Sequence, residues 1–324
     1  MPHAPLVIIG NANVDLTTYL ERAPEVGETV LGHNFSIGMG GKGANQAVAA
    51  ARAGAQVSFI GRIGEDAFGD MVISALTTEG LELDHLARVP GPSGVASIYV
   101  EDGGANRIAV FTGASGTLTS QSATDAVESH VKMRILVSQL EIDPRAVEAA
   151  LATARAKGAQ TILNTAPALP VSEGILCNTT WLIANEVEIA AVLAGAGVTT
   201  RPEISVEEVT AGIDDWATAL GCHVIVTLGD QGAIGHVSGD GTFHFAAAPV
   251  AAQDTVGAGD CFVGFFAAHL IEEMPWRNAL AGGVLAASES VTRAGAQSSY
   301  PDHAQAARLS DAARAVHTDQ TRLE

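Results

Sequence analysis

Leu6-Val7-Ile8-Ile9-Gly10 sets four large aliphatic side chains in unbroken succession and closes on a glycine. A strand points successive side chains to opposite faces, so a run with no polar position offers nothing to water on either side. The stretch therefore predicts a strand buried on both faces, and it opens the fold. Similar apolar runs recur at 57–63, 135–140, 161–164, 181–184 and 223–228. Most are separated by alanine-rich stretches whose apolar residues fall at helical spacing. Strand and helix alternate, which predicts an α/β fold: a mainly parallel sheet covered by helices, with ligands outside the carboxyl ends of the strands.

Two stretches interrupt this rhythm. One is 12–38; the other is the pair 95–100 and 107–111, joined by the turn-rich Asp102-Gly103-Gly104-Ala105-Asn106. Both read as hairpin material. Inserted into an α/β core from about 12–38 and 93–112, they predict a small sheet lying over the strand ends as a lid. Residues 233–247, with Gly239-Asp240-Gly241 at their centre, read as a further hairpin in the nucleotide half. Helices are expected at 258–273 and 276–292, and the residues after Pro301 form a terminal helix or a frayed tail. With no internal repeat and no low-complexity linker, 1–324 reads as one core domain plus the inserted lid.

Composition narrows the function. Of 324 residues, 47% are hydrophobic and 16% charged, the balance of a globular chain. Thirty-six acids against 17 bases give a formal charge of -19, which repels nucleic acid across the surface. A small phosphorylated ligand remains compatible, because backbone amides at a helix start can hold phosphate inside a pocket. No apolar run reaches the roughly 18 residues of a membrane helix, and the opening MPHAPLVIIG lacks a signal pattern, so a cytoplasmic protein is expected. Cys177, Cys222 and Cys261 are widely spaced and read as buried thiols rather than as a zinc site or disulfides.

Three elements carry chemistry. Gly257-Ala258-Gly259-Asp260 stands at the entrance of an apolar helix, where bare amides and the helix dipole favour an anion. An aspartate beside such an anion hole can take a proton from a hydroxyl while the amides stabilise a phosphoryl group in transfer. Taken alone, the stretch also fits an ordinary capped helix start. Gly38-Met39-Gly40-Gly41-Lys42-Gly43-Ala44-Asn45-Gln46 satisfies a dinucleotide pattern through Gly38, Gly40 and Gly43, which raises an NAD(P)-dependent oxidoreductase as a rival. The fit is poor: the run does not follow the first strand, and the next strand ends in Gly61-Arg62 instead of an acid. A Walker loop fails at Ser36 and Gly43. What remains is a close backbone approach to a polar ligand, with Lys42 and Asn45 as donors. Lastly, Asn13 and Asp15 after the first strand suit adjacent sugar hydroxyls, or else form an Asx-rich turn.

In order, Asn13-x-Asp15, Gly40-Gly41-Lys42-Gly43-Ala44-Asn45-Gln46, Gln139-Leu140-Glu141, Asn185-x-x-Glu188, Thr227-Leu228-Gly229-x-x-Gly232 and Asp254-Thr255-x-Gly257-Ala258-Gly259-Asp260 resemble the PfkB-type carbohydrate kinases, and the GGKGANQ string their ribokinase group. The resemblance spans nearly the whole chain. It implies a ribokinase-like three-layer sandwich and ATP-dependent phosphorylation of D-ribose, or of another sugar or a nucleoside. By the same resemblance, Asn13, Asp15, Gly41, Lys42, Asn45 and Glu141 hold the sugar and Asp260 is the base. The amides of Gly257, Ala258, Gly259 and Asp260 form the anion hole, and Asn185, Thr227, Gly229 and Gly232 lie along ATP. Glu188 orders Mg²⁺ through water. K⁺ is held by Asp254, Val256, Ser290, Gly295 and Ser299, an all-oxygen set suited to a hard cation. A homodimer formed through the lid is also implied, since an open sheet exposes an edge and a face that a second copy can cover.

Overall fold

The computed structural model describes residues 4–198 and 204–316. Among them, nine strands form one sheet in the order β13 (Gly241–Phe245), β12 (Ala233–Val237), β11 (His223–Thr227), β10 (Trp181–Asn185), β9 (Gln160–Asn164), β8 (Ile135–Ser138), β1 (Leu6–Ile9), β4 (Val57–Gly64) and β5 (Glu82–Val89). The seven from β11 to β5 are parallel, and β12 and β13 add an antiparallel hairpin at one edge. All four residues of β1 are buried. Leu6 and Ile8 join one apolar cluster while Val7 and Ile9 join another on the opposite face, as the unbroken aliphatic run requires.

Helices cover both faces. On one side lie α1 (Lys42–Arg52), α2 (Ala67–Thr78), α8 (Ala258–Ile271), α9 (Trp276–Ser290) and α10 (His303–Arg314); on the other lie α3 (Ser120–Ser129), α4 (Pro144–Ala156), α5 (Glu173–Leu176), α6 (Glu186–Gly195) and α7 (Val206–Leu220). Phe262, Phe265 and Phe266 of α8 are buried against the sheet side, each worth about 1.5–3 kcal/mol of apolar burial. α8 also lies against α1 so closely that a Cβ on Gly264 would fall 2.5 Å from Ala49 Cβ and 2.6 Å from the Gln46 carbonyl oxygen. This contact sets the site, because each helix brings polar residues to its own N-terminal end.

The interrupting segments form a four-stranded sheet in the order β3 (Asn34–Gly40), β2 (Asn13–Leu20), β6 (Gly94–Glu101) and β7 (Asn106–Phe111). It is not two separate hairpins. β2 pairs with β3 and β6 with β7 antiparallel, but β2 and β6 run parallel, with Asn13 opposite Gly94 and Asp15 opposite Ala96. The main-sheet edge strand β5 was not expected, because Glu82, Asp84, His85 and Arg88 break any apolar run; its outer edge needs fewer buried residues. The terminal segment is a helix, fixed by a reciprocal capping box between Asp302 and Gln305. One thiol also departs from expectation: Cys222 and Cys261 are buried, but Cys177 is exposed at the C-cap of the short α5. Burial pushes the Cys222 thiol up to about 12. Among the described residues no helix is long and apolar enough to cross a membrane.

Candidate active site

The main sheet reverses its order between β1 and β8, and the polar residues that follow these two strands meet there. Asn11, just past β1, donates Nδ2 to Glu141 Oε2 at 2.7 Å and accepts from the Gly43 amide at 3.3 Å. The Lys42 amide also reaches Glu141 Oε2, at 3.4 Å. Glycine is demanded by the crowding of these backbones. A Cβ on Gly41, whose φ is +89°, would lie 2.8 Å from Ala12 Cα, and one on Gly43 would lie 2.7 Å from Gly10 Cα. Gly38 and Gly40 belong to β3 of the small sheet, so the apparent dinucleotide pattern spans a strand end and a helix start rather than one loop after β1.

Asp260 sits in the first turn of α8, 7% exposed, behind Gly257 in the left-handed conformation (φ +76°). The Tyr300 hydroxyl donates to the Gly257 carbonyl at 3.0 Å. Both Asp260 oxygens are held from α1: Asn45 Nδ2 donates to Oδ2 at 3.0 Å and Gln46 Nε2 to Oδ1 at 2.9 Å. Helix entrance and glycine-rich element therefore meet in one site. At the entrance itself, the Ala258 amide donates to the Thr255 carbonyl at 3.3 Å.

Asp15 faces the same place from β2. Burial, reinforced by the nearby Glu141 and Asp260 carboxylates, raises its carboxyl to about 6. Gly40 leaves room for it, since a Cβ there would fall 2.3 Å from each Asp15 carboxylate oxygen. Asn13 is 4% exposed and its Oδ1 has no hydrogen-bond partner in the protein. Lys42 is the cation among these acids: burial disfavours its charge, but Asp260, Glu141 and Glu188 outweigh that and raise its pKa. Glu188, in turn, is raised chiefly by burial.

Around this site of glycine-framed carboxylates, a lysine and a helix-start aspartate, residues 4–303 match the pfkB family carbohydrate kinases. The chain belongs to that family. It is similar to the deoxyribokinase of Salmonella typhi, 36% identical over 301 residues that cover 91% of this chain and 95% of that protein. The ribokinase of Schizosaccharomyces pombe is 36% identical over 309 residues, covering 91% and 94%. Among solved structures, Arabidopsis thaliana ribokinase complexed with ribose and ATP superposes with a TM-score of 0.85 at 29% identity, covering 95% of this chain and 99% of that one.

The rest of this carbohydrate kinase's motif residues fall on the neighbouring strand ends. Asn185 closes β10 and lies opposite Thr227, which closes β11. Asn185 and Glu188 form a reciprocal capping box at the start of α6, so the Glu188 carboxylate accepts from the Asn185 amide at 3.0 Å. Gly229 (φ +56°) faces open space, whereas a Cβ on Gly232 would fall 2.0 Å from the Phe245 carbonyl oxygen, a packing demand independent of any ligand. Asp254 folds the loop before α8 onto the loop after α9: Oδ1 accepts from the Val256 amide at 3.0 Å and Oδ2 from the Gly295 amide at 2.8 Å. Ser290 and Ser299 flank that second loop; their hydroxyls donate to the Ala287 and Ala296 carbonyls. Sequence motifs assign no role to Asn11, Gln46, Gln139, Asn164, Gln297 or Tyr300: Asn11 contacts Glu141 and the Gly43 amide, and the others contact Asp260, its partners Asn45 and Gln46, or the Gly257 carbonyl. Gln46 and Gln139 lay inside quoted motifs, and their signal was a glutamine beside an otherwise apolar helix or strand.

Proposed function

We propose that the chain transfers the γ-phosphoryl group of ATP to the 5-hydroxyl of D-ribose, giving ribose 5-phosphate. The observation that carries this reading is the convergence of Asp260 with Asn45, 3.0 Å apart, at the entrance of α8. Asp260 takes the hydroxyl proton. Its two oxygens offer about four acceptor positions, so the two amide bonds leave room for the substrate. Asn13, Asp15, Gly41, Lys42, Asn45 and Glu141 hold the sugar. The unpartnered Asn13 Oδ1 and the shared carboxylates suit a ligand rich in hydroxyl donors. The amides from Gly257 to Asp260 receive the phosphoryl oxygens, which compete with Thr255 for the Ala258 amide. Asn185, Thr227, Gly229 and Gly232 lie along ATP. The small sheet closes over the sugar and excludes water from the transfer.

Two ions fit the residues present. Glu188, a buried carboxylate near Lys42 and Asp260, suits Mg²⁺ held through water, and the metal's contribution is to neutralise charge on the phosphates. The oxygen-only set of Asp254, Val256, Ser290, Gly295 and Ser299 would hold K⁺, which would add its charge to the loop that Asp254 already ties beneath the helix start. A second reading, 2-deoxyribose as substrate, is favoured by the 36% identity with a deoxyribokinase. One assay series tests these readings: ADP release against ribose, deoxyribose, fructose and adenosine, with Mg²⁺ present or chelated, in K⁺ or a bulky organic cation. Ribose is expected to give the highest kcat/KM, in K⁺ and Mg²⁺. Preference for another acceptor removes the ribose assignment, and equal rates in both monovalent cations remove the K⁺ site. Asp260→Asn is expected to abolish turnover while sugar still binds.

A further inference from the structure

Behind Asp260 runs a chain of buried amides with a single direction. Gln46 is fully buried and Gln139 is 1% exposed, so neither is open to a ligand. A carboxylate only accepts hydrogen bonds, so the end of the Gln46 amide that meets Asp260 Oδ1 at 2.9 Å is its nitrogen. The second Nε2 hydrogen goes to Asn164 Oδ1 at 3.0 Å, and Asn164 is itself oriented by donating Nδ2 to the Ile183 carbonyl at 3.1 Å. Gln46 Oε1 then requires a donor, and Gln139 Nε2 supplies one at 2.6 Å. Reversed, Gln139 would set one buried acceptor against another. As it stands, Gln139 Oε1 is buried with no partner. The surplus acceptor thus lies at the end of the chain farthest from Asp260, where the direction imposed by the carboxylate leaves it.

The geometry points to Gln139 as a positioning residue for phosphoryl transfer: by fixing the Gln46 amide it holds the plane of the Asp260 carboxylate in the orientation that receives the hydroxyl proton. Asp260 is gripped on both oxygens, and Gln46 is the grip that does not line the sugar pocket. A loss of Gln139 leaves Gln46 its two Nε2 bonds but removes the donor that holds Oε1, so the amide that grips Asp260 Oδ1 is fixed at one end only. Neither glutamine is among the residues read as holding the sugar, so the effect is expected on the chemical step. This inference rests on the reading of Asp260 as the base.

The test compares Gln139→Leu, which has no donor, with Gln139→Glu, which keeps the shape and donates only when its carboxyl is protonated. Steady-state kinetics are measured with ATP and the best sugar of the panel, across the pH range in which each variant stays folded. Gln139→Leu is expected to lower kcat roughly 10- to 100-fold, the scale of a misplaced reacting group, with KM for both substrates little changed. For Gln139→Glu, kcat relative to wild type is expected to rise as pH falls and the introduced carboxyl regains its proton. Wild-type kcat in Gln139→Leu, a loss confined to KM, or parallel pH profiles for the two variants overturns the assignment. Should Gln139→Leu fail to fold, Gln139→Glu decides alone: a ratio to wild type that does not change with pH overturns it. Asp260→Asn, assayed alongside, separates the two claims. Turnover retained there removes the base; turnover lost there while Gln139→Leu matches wild type removes only the role of Gln139.

Discussion

Asp15, read as a sugar ligand, ties activity to pH. Its pKa is raised from 3.8 to about 6 by burial and by two neighbouring carboxylates. In the unliganded protein its ionised form is therefore disfavoured relative to the unfolded chain. The stability this shift contributes is full below pH 3.8 and is lost as pH rises through about 6. Asp15→Asn should accordingly stabilise the unliganded protein above pH 6 by on the order of 1–3 kcal/mol. That gain should shrink to nothing near pH 4, and thermal melts at the two pH values check both signs. Activity should run the other way. A protonated Asp15 loses acceptor capacity for hydroxyls, so kcat/KM for the sugar should fall as pH drops below about 6. Asp15→Asn should lower kcat/KM at neutral pH and flatten that acidic limb; a wild-type profile level through this range would remove Asp15 from the sugar site.

At the level of elements, the entrance of α8 holds two glycines whose reasons differ. Gly257 has φ +76° and a Cβ there would lie 2.7 Å from the Tyr300 hydroxyl, so the protein's own packing demands it. A Cβ on Gly259 meets nothing within 4 Å. Alanine is the better helix former by up to about 1 kcal/mol, so packing and propensity alone would favour it at this position. The prediction is a split outcome for Gly259→Ala: a melting temperature equal to wild type or higher, with turnover reduced about tenfold or more because the methyl group obstructs the phosphoryl oxygens. Unchanged turnover would mean that no ligand approaches this amide. The same element shows why helix starts are hard to interpret from sequence. Gly257 and Gly259 are two positions apart, and the left-handed backbone of Gly257 with its packing against Tyr300 and Ala296 distinguishes them.

For the whole molecule, the small sheet is the surface that bears on assembly. Each more than a third exposed, Phe35, Ile37, Tyr99 and Phe111 share one face of it by strand register, and Ile108 and Val110 share the other, the face that carries Asp15. An apolar surface of this kind on a sheet with open edges is ordinarily covered. We expect a second copy to cover it, so that the chain sediments as a dimer and Ile108→Glu combined with Val110→Glu sediments as a monomer with unchanged circular dichroism. A wild-type chain that sediments as a monomer at micromolar concentration would dismiss the dimer.

The sequence by itself determined which strands are buried on both faces, because Leu6 to Ile9 leave no polar position for solvent. The glycines at 40, 41 and 43 also signalled a close approach to the backbone, read as that of a polar ligand, whereas at Gly41 and Gly43 the approaching group is the backbone of 10–13. The order of the polar motifs was likewise legible, since each follows an apolar strand or opens a helix. What the tertiary structure decided is which of these residues meet. Asn45 and Asp260 are 215 positions apart, and their contact follows from α1 lying on α8 at Gly264. The parallel pairing of β2 with β6, the polar edge strand β5 and the amide chain through Gln46 and Gln139 were equally invisible. Local pattern registers burial and turn chemistry, whereas a hydrogen-bond partner is chosen by packing between distant segments, and no single stretch of chain records that choice.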